Sequence, residues 1–228
     1  MKSINLASYF LHLLFNWGWK VAVPIFWHEL KGEKKYNIKT SGFRPLSKFQ
    51  IKGKELSSAT EYMPVDYPLL ESLLDVLPTT AKKGTFVDIG CGKGRALCVA
   101  AHFGFSKIEG IDFAKELVEE AKINLNSTQE IFPGLRSRVL WTDLESYNIP
   151  EETSCIFLFN PFNENMIALL ATKILETNFL FPVHIIYASP VHLDAFEKAG
   201  FKMIKEIELL KPIKGAVLYR PNPSKQSI

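Results

Sequence analysis

The sequence predicts an α/β fold: a doubly wound, mostly parallel seven-stranded sheet that ends in an antiparallel hairpin and follows an N-terminal helical, aromatic extension. Three observations predict it. Short apolar runs alternate with helix-length amphipathic stretches from residue 85 to residue 199. The first run, Phe86-Val87-Asp88-Ile89, enters the glycine turn Gly90-Cys91-Gly92-Lys93-Gly94, as a buried parallel strand does before its crossover helix. The last two runs are joined only through Lys211-Pro212-Ile213-Lys214, too short for a crossover, so they pair antiparallel.

Taken in order, residues 4–17 read as a helix and residues 31–60 as a polar, lysine-rich connector. Asp66 before Tyr67-Pro68 is a helix start, and Leu69, Leu70, Leu73, Leu74 and Leu77 give that helix one apolar face. Strands are predicted over 85–89, 107–112, 137–141, 154–160, 183–188, 202–210 and 215–220, with helices over 94–103, 114–125, 163–176 and 190–199. The parallel part requires right-handed crossovers. Composition divides the chain into a basic aromatic extension over residues 1–60 and a ligand-binding domain over residues 61–228.

At 228 residues and 47% hydrophobic, the chain can bury the core of one large domain or of a domain with an appendage. Its three cysteines have no Cys-x-x-Cys spacing, which argues against a disulfide framework, and its five histidines show no metal-ligand spacing. No metal is expected. Charge is uneven: the first 60 residues hold ten Lys/Arg against three Asp/Glu, whereas the remainder is slightly acidic. The same segment carries Trp17, Trp19 and Trp27 among other aromatics. Basic residues interleaved with aromatics suit an anionic membrane surface, a nucleic acid or an acidic protein, or simply an aromatic face packed on the domain with lysines in water. Asn16, Gly18, Lys20 and Pro24 interrupt the length a spanning helix needs, and no cleavage site of the Ala-x-Ala type follows the apolar stretch. A cytoplasmic enzyme is the expectation, with an interfacial helix that associates residues 1–30 with a membrane as the alternative to packing on the domain.

The glycine turn opens at the carboxyl end of its strand, where open α/β sheets bind ligands, and glycine lets backbone approach a ligand or adopt positive φ. Asp112 closes the second strand 22 residues after Gly90, setting a carboxylate beside the same crevice, suited to a ribose diol. Arg95 stands where a dinucleotide fingerprint needs its third glycine, and a phosphate loop does not fit either.

Asp88-x-Gly90-x-Gly92-x-Gly94, with Asp112 and the terminal hairpin, resembles the class I, seven-strand S-adenosylmethionine-dependent methyltransferases over residues 62–219. That resemblance implies strand order 3-2-1-4-5-7-6 and S-adenosyl-L-methionine as cofactor. It implies that Gly90, Gly92 and Gly94 wrap the methionine and ribose portions and that Asp112 takes the ribose hydroxyls, with Asp88, Cys91 and Phe113 as further cofactor-binding residues. Trp141-Thr142-Asp143-Leu144 resembles the family's adenine-binding loop, with Asp143 and Leu144 as contacts; a plain turn or cap is the alternative for Asp143.

Phe159-Asn160-Pro161-Phe162-Asn163 follows the fourth strand. Asn160-Pro161-Phe162 resembles the Asp/Asn-Pro-Pro-aromatic loop of methyltransferases acting on amine nitrogens, with one proline where that loop has two. By that resemblance Asn160 orients the acceptor amine and Phe162 stacks on it; otherwise Asn160 and Pro161 turn the chain and contact the cofactor. Upstream, Glu61-Tyr62-Met63-Pro64 resembles the Tyr-x-Pro segment of bacterial class I methyltransferases of unassigned substrate and of mitochondrial lysine methyltransferases of the ATP-synthase c-subunit. Tyr62 is then an active-site residue over cofactor or amine, or else a buried structural tyrosine. Methyl transfer from a sulfonium needs alignment and exclusion of water rather than a covalent nucleophile, and no G-x-S-x-G elbow is present. The expected activity is N-methylation of a protein or small-molecule amine, with a nucleic-acid methyltransferase or a non-catalytic cofactor-binding scaffold as alternatives.

Overall fold

The computed structural model describes residues 6–44, 50, 62–159, 163–210 and 213–220. Seven strands form one sheet: β1 (Thr85–Ile89), β2 (Lys107–Asp112), β3 (Arg136–Trp141), β4 (Thr153–Phe159), β5 (Val183–Ala188), β6 (Lys202–Leu210) and β7 (Ile213–Arg220). Their spatial order is β3-β2-β1-β4-β5-β7-β6, the order expected from the family resemblance. β1 to β5 pair in parallel, and β7 runs antiparallel to both β5 and β6. Register aligns Ile89 with Ile111 on one side and Leu158 on the other, so the loops leaving β1, β2 and β4 open along one edge.

Every side chain of β1 and β5 is buried, as central parallel strands covered on both faces require, whereas β3 at the sheet edge is only half-buried. The helices are α1 (Leu6–Trp17), α2 (Trp19–Tyr36), α3 (Tyr67–Asp75), α4 (Arg95–His102), α5 (Lys115–Ile131), α6 (Glu164–Glu176) and α7 (Leu193–Lys198). One apolar cluster joins α3 and α4 to Phe86, Ile108 and Phe157 on one face of the sheet. A second packs α6 and Phe196 against Val87, Ile156 and Ile185 on the other. β7 seats α3 directly: a Cβ at Gly215 would lie 2.6 Å from Leu73.

Two elements depart from the sequence expectation. Residues 31–36, read as connector, complete α2, whose buried stripe is Ala22, Ile25, Glu29, Gly32 and Tyr36. That stripe has helical spacing, but an acid and a glycine sit on it, which hides it from a hydrophobicity reading. Gly32 is required there because Tyr67 packs where its Cβ would be, and Asn37 ends the helix in the left-handed conformation. α5 runs on to Ile131 rather than residue 125, since the buried Asn124 and Thr128 continue its inward face as polar, hydrogen-bonded residues.

α1 and α2 fold into a hairpin at Gly18 (φ 75°), with the Phe10 and Phe26 rings 5.2 Å apart. Tyr9, Leu13, Ala22, Ile25, Tyr36 and Ile38 enter the same cluster as Leu70, Leu97 and Ile108. The inward half of the extension therefore belongs to the core of the α/β body. Its outward half does not: Leu11, Phe15, Trp17, Trp19, Val23, Trp27 and Leu30 are exposed.

Candidate functional site

The glycine turn is tied to the end of β2 by the chain's own hydrogen bonds. Gly90 and Cys91 donate their amides to the Ile111 carbonyl at 2.9 and 2.8 Å. The Asp112 carboxylate then accepts the Gly92 amide on one oxygen and the Ala114 amide on the other, each at 2.8 Å. Gly90, Gly92 and Gly94 all hold positive φ, at 79°, 52° and 79°. At Gly92 the need for glycine is double, because a Cβ would also fall 2.5 Å from the Tyr62 ring.

An ionised carboxylate offers about four acceptor positions. The Gly92 and Ala114 amides fill two of those on Asp112, and the Phe113 amide lies close enough to compete for a third, which leaves acceptor capacity for a diol hydroxyl. Burial raises the Asp112 carboxyl to about 6 despite the amides of Ala114, Gly92 and Phe113, which favour ionisation. Asp88 lies deeper in β1; burial first, and then the neighbouring Asp112 carboxylate, push it well above the usual carboxylate range and favour its protonated form. Cys91 is buried and its thiol is likewise pushed up, chiefly by burial, so it serves as wall rather than nucleophile.

The predicted partners of this crevice gather around it unequally. Phe113 is buried and gives its carbonyl to the Trp141 indole N–H at 2.9 Å, which holds the β2 and β3 exits together. Leu144 is buried beneath the next loop. Asp143 accepts the Ser146 amide at 2.8 Å, closing a turn with one oxygen and keeping the other. Tyr62 covers the glycine turn and donates its hydroxyl to the Thr40 carbonyl at 2.7 Å. Desolvation pushes that phenol well above the ordinary tyrosine range, which suits a positioning role and not that of a proton acceptor. Asn160, Pro161, Phe162 and Glu61 lie outside the described residues; Asn163, just beyond, caps α6 by accepting the Met166 amide.

The residues present fit S-adenosylmethionine. The turn brings backbone to the crevice where side chains would obstruct it, Asp112 retains acceptor capacity, and Cys91, Phe113 and Leu144 supply buried apolar surface.

Four residues that sequence reasoning left without a role hold this turn in place. Arg95, at the start of α4, gives two hydrogen bonds to the buried Glu29 of α2, a third to the Val65 carbonyl at 2.6 Å and a fourth to Thr40 Oγ1 at 2.8 Å. Its guanidinium also lies 3.9 Å from the Tyr67 ring centre. An acid at residue 29 on an otherwise apolar stripe was the available signal, but nothing in one sequence says which cation it meets.

Beside the crevice, a cavity of about 290 Å³ opens at the carboxyl ends of β4 and β5. Phe159, Ser189 and Val191 line it from the sheet, Met63, Asp66 and Leu69 from the segment entering α3, and Tyr9, Trp17 and Ile25 from the N-terminal hairpin. Ser189 turns out of β5 with φ 50°, a conformation uncommon outside glycine. Asp66 precedes α3 as expected, yet its side chain makes no cap and instead meets His28.

Comparison with known proteins agrees with this geometry. A family model described as a methyltransferase domain matches residues 87–160. No curated protein matches the chain. Among solved structures, an RNA methyltransferase from Salinibacter ruber bound to S-adenosyl-L-homocysteine superposes with a TM-score of 0.55 at 16% identity, covering 72% of this chain and 98% of its own. Magnesium protoporphyrin IX methyltransferase from Synechocystis PCC 6803, with bound cofactor, gives 0.51 at 16% identity over 66% of this chain and 77% of its own. A methyltransferase of Listeria monocytogenes described as putative gives 0.51 at 15% identity over 66% and 96%. At these identities the likeness is one of fold, and the fold is the class I, seven-stranded one.

Proposed function

We propose that this chain, which has the class I S-adenosylmethionine-dependent methyltransferase fold and carries a methyltransferase domain, methylates a nitrogen of a protein or small-molecule amine. The observation that carries the reading is adjacency: Tyr62 lies on the glycine turn, and its neighbour Met63 lines the cavity that ends at Phe159. Donor crevice and acceptor cavity thus share a wall. S-adenosylmethionine, held by Gly90, Gly92, Gly94 and Asp112, supplies an electrophilic methyl group on sulfur.

The chain's own residues then align and enclose. Asn160, immediately after Phe159, accepts a hydrogen bond from the acceptor nitrogen, and Phe162 packs against the acceptor. Tyr62, anchored on the Thr40 carbonyl, keeps water off the glycine turn. Asp143 and Leu144 meet the adenine. Asn160→Ala lowers turnover about tenfold or more while leaving cofactor affinity nearly unchanged.

A labelled methyl donor added to the full-length protein and cell extract tests the reading. Label in the protein or small-molecule fraction is expected. Label confined to RNA replaces the acceptor class, and cofactor binding with no transfer to any fraction makes the chain a binding protein.

The exposed aromatics of α1 and α2, beside Lys20, Lys31, Lys34 and Lys35, support contact with an anionic membrane surface from the cytoplasmic side. Among the described residues no helix is long and apolar enough to cross a membrane.

A further inference from the structure

Asp66 has a buried oxygen with nothing to bind. Its carboxylate Oδ1 accepts from His28 Nδ1 at 2.9 Å, whereas Oδ2 has no hydrogen-bond partner. The Leu69 amide, in the first turn of α3, also favours the ionised carboxylate, but it does not satisfy Oδ2. Only 6% of the side chain is exposed, and the residue lines the 290 Å³ cavity. Lys214 lines the same cavity, but no ion pair joins it to Asp66 among the described residues. A buried carboxylate oxygen without a donor is costly, and native structures rarely keep one unless something arrives to fill it. Most of the rest of the wall, including Trp17, Ile25, Met63, Leu69 and Phe159, is apolar, with Tyr9 and Ser189 the other polar side chains on it. The space therefore suits one cationic N–H donor carried on a hydrocarbon or aromatic tail.

We propose that Asp66, oriented by His28, binds the protonated amine of an apolar-tailed acceptor and takes its proton before methyl transfer. This rests on the methyltransferase reading above and names the acceptor class within it. The ammonium gives one proton to the Asp66 carboxylate, which frees the nitrogen lone pair. That pair forms the new nitrogen–carbon bond as the carbon–sulfur bond breaks, and the electrons of the broken bond stay on sulfur. The methylated ammonium that results and S-adenosylhomocysteine are the products. His28, with 28% of its side chain exposed, connects Asp66 to solvent for return of the proton. Asp66 is thus the substrate-touching group and His28 a positioning residue. Burial, the largest influence, raises the Asp66 carboxyl above its ordinary range even though His28 opposes it, which agrees with a group that accepts a proton.

Calorimetry on the full chain with hexylamine, phenethylamine and hexan-1-ol tests the inference, with S-adenosylhomocysteine titrated in parallel. Both amines should bind about tenfold or more tightly than the alcohol, and Asp66→Asn should remove that difference while S-adenosylhomocysteine affinity stays within about twofold. His28→Gln, which keeps a donor toward Asp66, should preserve part of the preference for amine. Equal binding of amine and alcohol, or amine affinity unchanged in Asp66→Asn, overturns the inference and leaves the proposed function standing. Failure of the unsubstituted protein to bind S-adenosylhomocysteine overturns the proposed function, whatever the amines do. Should Asp66→Asn not fold, Val191→Trp at the exposed rim decides: it should exclude the amines and spare S-adenosylhomocysteine, and unimpaired amine binding would count against the cavity.

Discussion

The Glu29 carboxylate takes two guanidinium hydrogen bonds from Arg95, 66 residues away in sequence, at 2.6 and 2.5 Å, and both side chains are almost wholly buried. The first turn of α4 is thereby fastened to α2, which ties the glycine turn to the N-terminal hairpin.

Glu29→Ala should cost about 3–5 kcal/mol of stability, because it strands a buried guanidinium instead of merely removing an attraction. Removing residues 1–30 takes away Glu29 together with Tyr9, Leu13, Ala22 and Ile25, and should abolish a cooperative unfolding transition. Urea titration reads both. The double replacement Glu29→Leu with Arg95→Met should recover most of the loss; if Glu29→Ala unfolds at the same urea concentration as the natural chain, the pair is not a strut.

Gly92→Ala should weaken S-adenosylhomocysteine binding about tenfold or more, since positive φ disfavours the new side chain and Tyr62 occupies its place. Adding Tyr62→Ala relieves the contact but not the backbone strain, so calorimetry should show partial recovery. Full recovery would make the ring contact the whole cost.

The Asp112 carboxyl is raised from 3.8 to about 6 in the folded chain, so its contribution to stability is complete below 3.8 and is lost as pH rises through about 6. Ribose binding needs the ionised form, so the two trends oppose. Affinity for S-adenosylhomocysteine should fall as pH drops below about 6. Asp112→Asn should bind more weakly by about 1–3 kcal/mol and lose that pH dependence. An unchanged pH profile in the variant would place the titrating group elsewhere.

Replacing exposed Trp19 and Trp27 by serine should reduce flotation with anionic vesicles about tenfold or more at low salt, leaving cofactor affinity alone. Raising the salt should weaken binding of the unsubstituted protein, since the lysine attraction is screened. Flotation insensitive to both changes would end the membrane proposal.

Much of this was legible from periodicity, because strands buried on both faces are near-continuous apolar runs and a crossover needs a helix between them. The seven strands lie within two residues of their expected ends for that reason. What escaped was polar burial. Glu29 interrupts the stripe of α2, and Asn124 and Thr128 interrupt that of α5, each hydrogen-bonded to a partner distant in sequence or to backbone. Asp66 was legible as a helix start but not as a cavity wall, since His28 reaches it from 38 residues away. Asp112 was legible because a fixed spacing from the glycine turn brings it to the same crevice. For Asp143 the sequence offered a loop contact or a turn, and the Ser146 amide assigns one oxygen to the turn.

The placement of β7 between β5 and β6 bears on how the protein is made. During synthesis the wholly buried β5 has no neighbour on one side, and α3 has no Gly215 to rest on, until the ribosome has released residue 220. A nascent chain in that condition presents an unpaired hydrophobic edge from the emergence of β5 until β7 follows it. A polypeptide stopped before residue 213 should therefore be a chaperone client rather than a smaller enzyme.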